Sequence, residues 1–322
     1  MNSLQDASQP ILVTGGAGEI GSRLVRHLTD AGRHVRVLVL PNDPGLGRLE
    51  GMERVELRVG DITDPATLVG VFDGVGTVYH LAAVLLVEDE NLFRKVNVQG
   101  ARNVAEAAAA ASVRHLIHIS SASVVYPNTT PYSRSKRAGE EAVRRVVRRH
   151  DAVGAGSEMK LTIARPTLVY DGEGGLEFAL FLRHLERFPW VPMVGAGDAL
   201  KNPVYVDDLV RGLFALAGQA ITYGKTYNLS GGEVLSMRDL ARLLLAYRGL
   251  EKPLVAIPDP LCHLAGRVLG KLLRRPLLLG HTLAGLTQDA ALSPDLACQD
   301  LGYAPRGIRA GLKMSPTPEV NP

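Results

Sequence analysis

The stretch ILVTGGAGEIGSRLV, residues 11–25, decides the fold. It reads as a buried strand, a tight glycine turn and then a helix. Gly15 supplies the unusual backbone angles of the turn. Gly18 lets the main chain approach a pyrophosphate, and Gly21 lets the helix pack closely on the sheet. Glu19 and Ile20 open that helix. Its N-terminus presents free N–H groups and a partial positive charge to the phosphates. A glycine turn with no ligand is the plain alternative. The turn's place at the first strand–helix junction argues against it.

Outward from this turn, short apolar runs alternate with helical patterns, the signature of a parallel sheet covered by helices. Strands are predicted at Ile11–Thr14, Val35–Leu40, Val55–Val59, Thr77–His80, His115–Ser120 and Leu161–Ala164. Helices are predicted near Ile20–Ala31, Pro65–Phe72, Asn91–Ala111 and Ser133–His150. The expected class is α/β: a Rossmann-type doubly wound parallel sheet with a smaller, mostly C-terminal substrate lobe. Residues 10–170 and 203–230 are assigned to the nucleotide-binding domain, with a strand feeding a helix over Val204–Leu216 and a short strand at Tyr227–Leu229. Residues 171–202 and 231–314 are assigned to the lobe, with a helix at Ser236–Leu250 and a mostly helical remainder. The tail, residues 315–322, is expected to be disordered.

With 322 residues, 46% of them hydrophobic, the chain can bury a sizeable core. Net charge is +3 and aromatic residues are 5%, which argues against nucleic acid as a partner. Cys262 and Cys298 match no metal-ligand or redox spacing and read as free thiols in a reducing compartment. No metal site is expected. The N-terminus lacks the regions of a signal peptide, and no apolar run is long enough to span a membrane. The default location is the cytoplasm.

The string YSRSK places Tyr132 four residues before Lys136, on one face of a helix. A phenol with a pKa near ~10 is a poor proton carrier at neutral pH. An ammonium group beside it favours the phenolate and lowers that pKa. The pair is then a candidate acid/base for interconverting a hydroxyl and a carbonyl. Alone the spacing is weak; with the glycine turn upstream it is strong.

The end of the second strand discriminates NAD from NADP. An acidic side chain there binds the adenosine ribose, and an arginine accommodates a 2′-phosphate. Val39 and Leu40 stand at that place. Asn42 and Asp43 follow, and Asp43 is the group within reach of the ribose. No arginine is evident there, so NAD is favoured over NADP. Asp61 follows the third strand, as acceptor for the adenine amino group or as a helix cap.

With these residues in hand, the chain resembles the extended short-chain dehydrogenase/reductases. That group includes the nucleotide-sugar epimerases and dehydratases and the 3β-hydroxysteroid dehydrogenase relatives. The resemblance covers about residues 10–310. It rests on TGGAGEIG (14–21), GDI (60–62), YHLAA (79–83), NVQGARNV (97–104), ISSAS (119–123), YSRSK (132–136), RPTLVY (165–170) and PVYVDDL (203–209). It implies a hydroxyl partner for Tyr132. Ser121 is the choice, with Ser120 and Ser123 as alternatives. It implies that Lys136 also binds the nicotinamide ribose, and that Asn97 holds a kinked helix and an active-site water. Ile62, Leu81, Ala82 and Ala83 would line the cofactor, with Pro166 and Leu168 near the nicotinamide. Asp207 and Asp208 look like a structural pair at a domain junction.

Two departures bear on the chemistry. Dehydratases of this kind carry an Asp-Glu pair after the hydroxyl residue; Ala122 and Ser123 stand there instead. Elimination of water then lacks its acid and base. The loop from Ser121 to Tyr132 is also short, so the pocket is either more open or completed by the C-terminal lobe. Lys201 falls where sugar-nucleotide epimerases place an arginine that grips the diphosphate, and Ser123 is a second candidate substrate contact. Arg183, Arg187 and Arg306 are further cations without assigned partners. Residues 261–275 form a basic amphipathic stretch that packs on the core or touches a membrane surface. His80 reads as a satisfied core histidine. Arg144, Arg145, Arg148 and Arg149 read as a solvated face. The helix bearing YSRSK and the alanine-rich one before it are the expected homodimer contact. The leading expectation is an epimerase or 4-keto reductase acting on a nucleotide-activated sugar. Oxidation of a 3β-hydroxysteroid-like or other lipid alcohol is the alternative, and a nucleotide-binding subunit without turnover is the third reading.

Overall fold

The computed structural model describes residues 9–85, 87, 89–152, 159–171, 176–187, 189–258 and 287–313. Residues 261–275 and the tail 315–322 lie outside the described residues.

Six strands follow the apolar runs: β1 (Ile11–Thr14), β2 (Val35–Val39), β3 (Val55–Val59), β4 (Thr77–His80), β5 (His115–Ile119) and β6 (Lys160–Pro166). A seventh, Thr226–Leu229, joins the far edge. The sheet order is Thr226–Leu229, β6, β5, β4, β1, β2, β3, and every pairing is parallel. The order reverses between β1 and β4. In open α/β sheets the crevice at that reversal, beyond the strands' C-terminal ends, is where ligands bind.

Helices cover both faces. On one, α1 (Glu19–Asp30) turns Leu24, Val25 and Leu28 onto β1 and β2. The helix Val206–Leu216 adds Leu209, Leu213 and Leu216 to the same core. On the other, α2 (Glu90–Phe93) runs through a π-helical segment, Arg94–Gly100, into α3 (Ala101–Ala110). Together α3 and α4 (Pro131–Ala152) bury Val104, Ala105, Ala108, Val143 and Val146 against β4 and β5. Ala105, Ala108 and Ala109 are thus spent inside the chain, and Ala110 is exposed. Of the four arginines near the end of α4, Arg144 is half-buried and donates to Thr226 Oγ1 at 2.8 Å; the other three are on the exposed side or solvent-facing.

A third core is built by α5 (Leu176–Arg187) and the helix Met237–Tyr247, with the paired strands Val191–Val194 and Leu254–Ile257. It includes Tyr170, Tyr205, Ile308 and Leu312, so the C-terminal end returns to segments flanking the sheet. Asp208 is 1% exposed and accepts from Arg306 through its backbone N–H and its guanidinium, at 2.8–2.9 Å for the best-placed atoms. Arg23 of α1 reaches Asp171 at 3.1 Å and Asp207 at 3.5 Å. These charges tie the third core to the sheet.

The structure differs from the pattern reading in three places. Pro65–Phe72 forms only a 3₁₀ turn, Pro65–Leu68, because Gly70 adopts φ +74 and ends it. The single helix expected at Asn91–Ala111 is interrupted by the π-helical segment. Among the described residues beyond Gly231, Leu254–Ile257 is a strand rather than helix. No helix among the described residues is long and apolar enough to cross a membrane.

Three histidines are buried in the sheet: His80, His115 and His118. Burial pushes His80 and His115 down to about 3, and lowers His118 likewise. His115 Nε2 lies 2.9 Å from Thr162 Oγ1, whose own proton goes to Thr222 O at 2.7 Å. The imidazole therefore donates there and is the neutral Nε2–H tautomer. Between pH 6.5 and about 3 the unfolded chain binds more protons than the folded one, so stability falls as pH falls through that window. Denaturant midpoints measured from pH 7 downward should drop before the carboxylates titrate. A flat profile between pH 7 and 5 would contradict neutral burial of these side chains.

Candidate active site

The turn after β1 meets the loop after β4. Gly15 has φ +71, and a side chain there would stand 2.7 Å from Ala82 N. Leu81 N donates to Thr14 O at 3.1 Å, and Ala82 N to Thr14 Oγ1 at 3.3 Å. Gly15, Leu81 and Ala82 are therefore brought to one place, with Ala83 following on the exposed side. A side chain at Gly21 would overlap Gly15 O. The N-cap of α1 is Gly18, with no side chain capping the helix, so its first N–H groups are left for a ligand. This open cradle fits the pyrophosphate of a dinucleotide. Glu19 is exposed beside it, while Ile20 packs on the first core.

Thr14, unassigned from sequence, also lies 2.7 Å from His80 Nδ1. His80 is a satisfied core residue. Asp61 accepts from Thr63 N at 2.8 Å, and the cap of the 3₁₀ turn is Asp64. Ile62 is buried against Gly100, with its carbonyl on Asn103 Nδ2 at 2.8 Å. Pro166 ends β6 in the interior, and half-buried Leu168 packs on the third core.

Helix α4 carries Tyr132 and Lys136. Tyr132 is half-buried, its ring 6.0 Å from that of Phe93. Lys136 is 4% exposed, and its ammonium donates to Ile119 O at 2.8 Å, at the end of β5. Burial pulls its pKa down to about 8, and Glu140 one turn later pushes it back up. Glu140 is itself buried. Burial alone would raise its carboxyl, but Arg165 holds it below the usual range through two bonds of 2.8 and 2.7 Å. Glu140 and Arg165 had no role in the sequence reading. The signal was available, since Glu140 lies four residues beyond Lys136, where helical side chains meet.

Asn97 sits in the π-helical segment, a feature enriched at functional sites. Its Oδ1 accepts from Val84 N and its Nδ2 donates to Val84 O, both at 2.9 Å. The same amide donates to Ser135 Oγ at 2.9 Å. Asn97 thus locks the loop after β4 to α4. Gly139 permits this approach, because a side chain there would overlap Asn97 O.

Ser121 follows β5 and accepts from Ser123 N at 3.1 Å and Ser123 Oγ at 3.0 Å. Ser123 is buried with its hydroxyl committed to Ser121, whereas half-buried Ser121 keeps its own O–H for an acceptor. The short loop beyond is closed from the C-terminal side. Gln288 exchanges two hydrogen bonds with the Asn128 backbone, at 2.7 and 2.8 Å. Lys201 is buried, with its ammonium on Gln288 O and 5.5 Å from the Tyr126 ring centroid. The structure therefore holds Lys201 in the wall behind the loop.

The model of the NAD dependent epimerase/dehydratase family matches residues 11–230. The chain belongs to that family. Over its length it is also similar to the 2-alkyl-3-oxoalkanoate reductase of Stenotrophomonas maltophilia, at 28% identity covering 94% of this chain and 97% of the relative. It is 28% identical to a 3 beta-hydroxysteroid dehydrogenase/Delta 5-->4-isomerase of Mycobacterium tuberculosis, covering 92% and 86%. Among solved structures, gox2253 superposes with a TM-score of 0.76 at 28% identity, covering 95% of this chain and 96% of the other.

Two substitutions test the site's construction. Gly139→Ala should cost about 1–3 kcal/mol of stability by forcing α4 away from Asn97; an unchanged denaturant midpoint would refute the tight approach. Lys136 binds fewer protons folded than unfolded between about pH 8 and 10.5, so its burial costs most below pH 8. Lys136→Met should therefore raise the unfolding midpoint at pH 7, by about 1–3 kcal/mol, with the gain shrinking at higher pH. A destabilised variant at pH 7 would contradict a costly buried cation.

Proposed function

We propose that the chain is a NAD(P)-dependent oxidoreductase that interconverts a secondary alcohol and a ketone on an apolar, lipid-like substrate. The dinucleotide supplies or accepts hydride at the carbinol carbon. Tyr132 gives or takes the hydroxyl proton. Lys136, with its cation at the end of β5, favours the phenolate. Ser121 donates to the reacting oxygen, a role suited to the O–H that Ser123 leaves unspent. Asn97 positions the loop after β4 against α4 and so fixes the mutual placement of cofactor and acid.

The observation that carries the substrate class is the state of Lys201. Its ammonium is directed at Gln288 O inside the wall, rather than offered to a diphosphate. Arg306, another cation considered for that task, is held by Asp208. The loop after β4 contributes half-buried Val84, Leu85 and Val87 beside Asn97. The relatives named for a 2-alkyl-3-oxoalkanoate and a 3β-hydroxysteroid agree with such a lining. Without carboxylates at Ala122 and Ser123, the residues support redox at one carbon and no dehydration.

A nucleotide-sugar epimerase or 4-keto reductase is the second reading, supported by the family's own range of activities. A homodimer through α3 and α4 belongs to either reading.

Purified protein should be assayed with NADH and NADPH against long-chain β-keto esters and sterol-type ketones, with UDP- and dTDP-sugars alongside. Turnover of an apolar ketone is expected. Turnover confined to nucleotide sugars would sink the lipid reading. Tyr132→Phe should lower kcat about 10²–10⁴-fold while leaving dinucleotide affinity intact; an undiminished kcat would remove Tyr132 from the mechanism.

A further inference from the structure

The adenosine end of the cradle holds a charge that the strand-end rule does not anticipate. β2 finishes at Val39, and Leu40 is exposed. The chain then turns sharply, with Asn42 at φ 55. Asp43, the expected ribose ligand, bends its Oδ1 onto Gly45 N at 2.9 Å. That bond belongs to an Asx turn and directs the carboxylate to its own backbone. Gly45 itself abuts Ala17, since a side chain there would overlap Ala17 O. Ala17 lies inside the phosphate turn, between Gly15 and Gly18. The loop after β2 is therefore packed on that turn.

This packing delivers Arg48. The 3₁₀ turn Leu46–Leu49 folds it back, and its Nη1 donates to Ala17 O at 3.2 Å. Arg48 is otherwise exposed, and no ion pair joins it to a carboxylate among the described residues. A guanidinium has five donors in a fixed fork, and one of them is used here. The group stands at the lip where the adenosine ribose of a dinucleotide meets the end of the second strand. Arginine matches phosphate geometry with two parallel donors, which a neutral 2′-hydroxyl does not use.

We propose that Arg48 makes the adenosine end of this cradle a 2′-phosphate site, so that NADP(H) binds in preference to NAD(H). The inference rests on the dinucleotide cradle and not on the identity of the alcohol. Arg48 is a specificity residue contributed by the turn after β2, with the Ala17 carbonyl as its rest position.

Equilibrium binding of NADPH and NADH to the full chain, by calorimetry without substrate, tests this directly. NADPH should bind at least tenfold tighter than NADH, and the ratio should shrink as salt is added. Arg48→Gln keeps a donor for Ala17 O and removes the charge. It should lose most of the preference while holding NADH affinity within about twofold, whereas Arg48→Lys should keep part of the preference. Equal or tighter NADH binding by the native chain would overturn the proposal. So would an equal loss of both affinities in Arg48→Gln, which would make Arg48 a prop for the turn. Failure to bind either dinucleotide would overturn the cradle itself, a result distinct from a failed preference.

Discussion

The buried ammonium of Lys136 is the interaction on which the candidate site depends. A cation at 4% exposure is expensive unless its surroundings are arranged for it. Here three elements supply that arrangement. β5 offers the Ile119 carbonyl at 2.8 Å, α4 offers Glu140 one turn away, and β6 offers Arg165 to keep Glu140 ionised. His80 and His118, which face Lys136 from β4 and β5, stay neutral and add no competing charge. The same geometry that tolerates the cation also fixes α4 across the ends of the central strands. Tyr132 and Ser121 take their places from that anchoring.

Asn97 extends the arrangement towards the nucleotide turn. It pairs with the Val84 backbone on one side and Ser135 on the other. Val84 lies two residues beyond Ala82, which packs on Gly15. A continuous set of close contacts thus runs from the glycine turn through the loop after β4 to the helix bearing Tyr132. The π-helical segment supplies the register that lets Asn97 reach both partners.

Much of this was legible in the sequence. Strand positions β1 to β6 follow from apolar runs between glycine and polar turns, because strands buried on both faces read as continuous hydrophobic stretches. The glycine turn and the Tyr132–Lys136 spacing are local patterns, and local patterns survive without tertiary information. The parts that escaped depend on contacts between distant segments. Val191–Val194 and Leu254–Ile257 are short strands whose only stabilising partner is each other, about sixty residues apart in sequence. Pro65–Phe72 carried a helical pattern that Gly70 stopped. Lys201 was placed correctly along the chain, but its burial against Gln288 depends on a segment returning from far downstream. Arg48 lies nine positions past the end of β2 and reaches Ala17 only through the intervening turn, so no strand-end rule would find it.

The acidity of Tyr132 tests the central claim most directly. Its phenol can be titrated by ¹³C NMR of ring-labelled tyrosine in the native chain and in Lys136→Met, with Tyr132→Phe identifying the resonance. If the buried cation sets the chemistry, Tyr132 ionises at a distinctly lower pH in the native chain than in the methionine variant. Coincident titration curves would contradict the account.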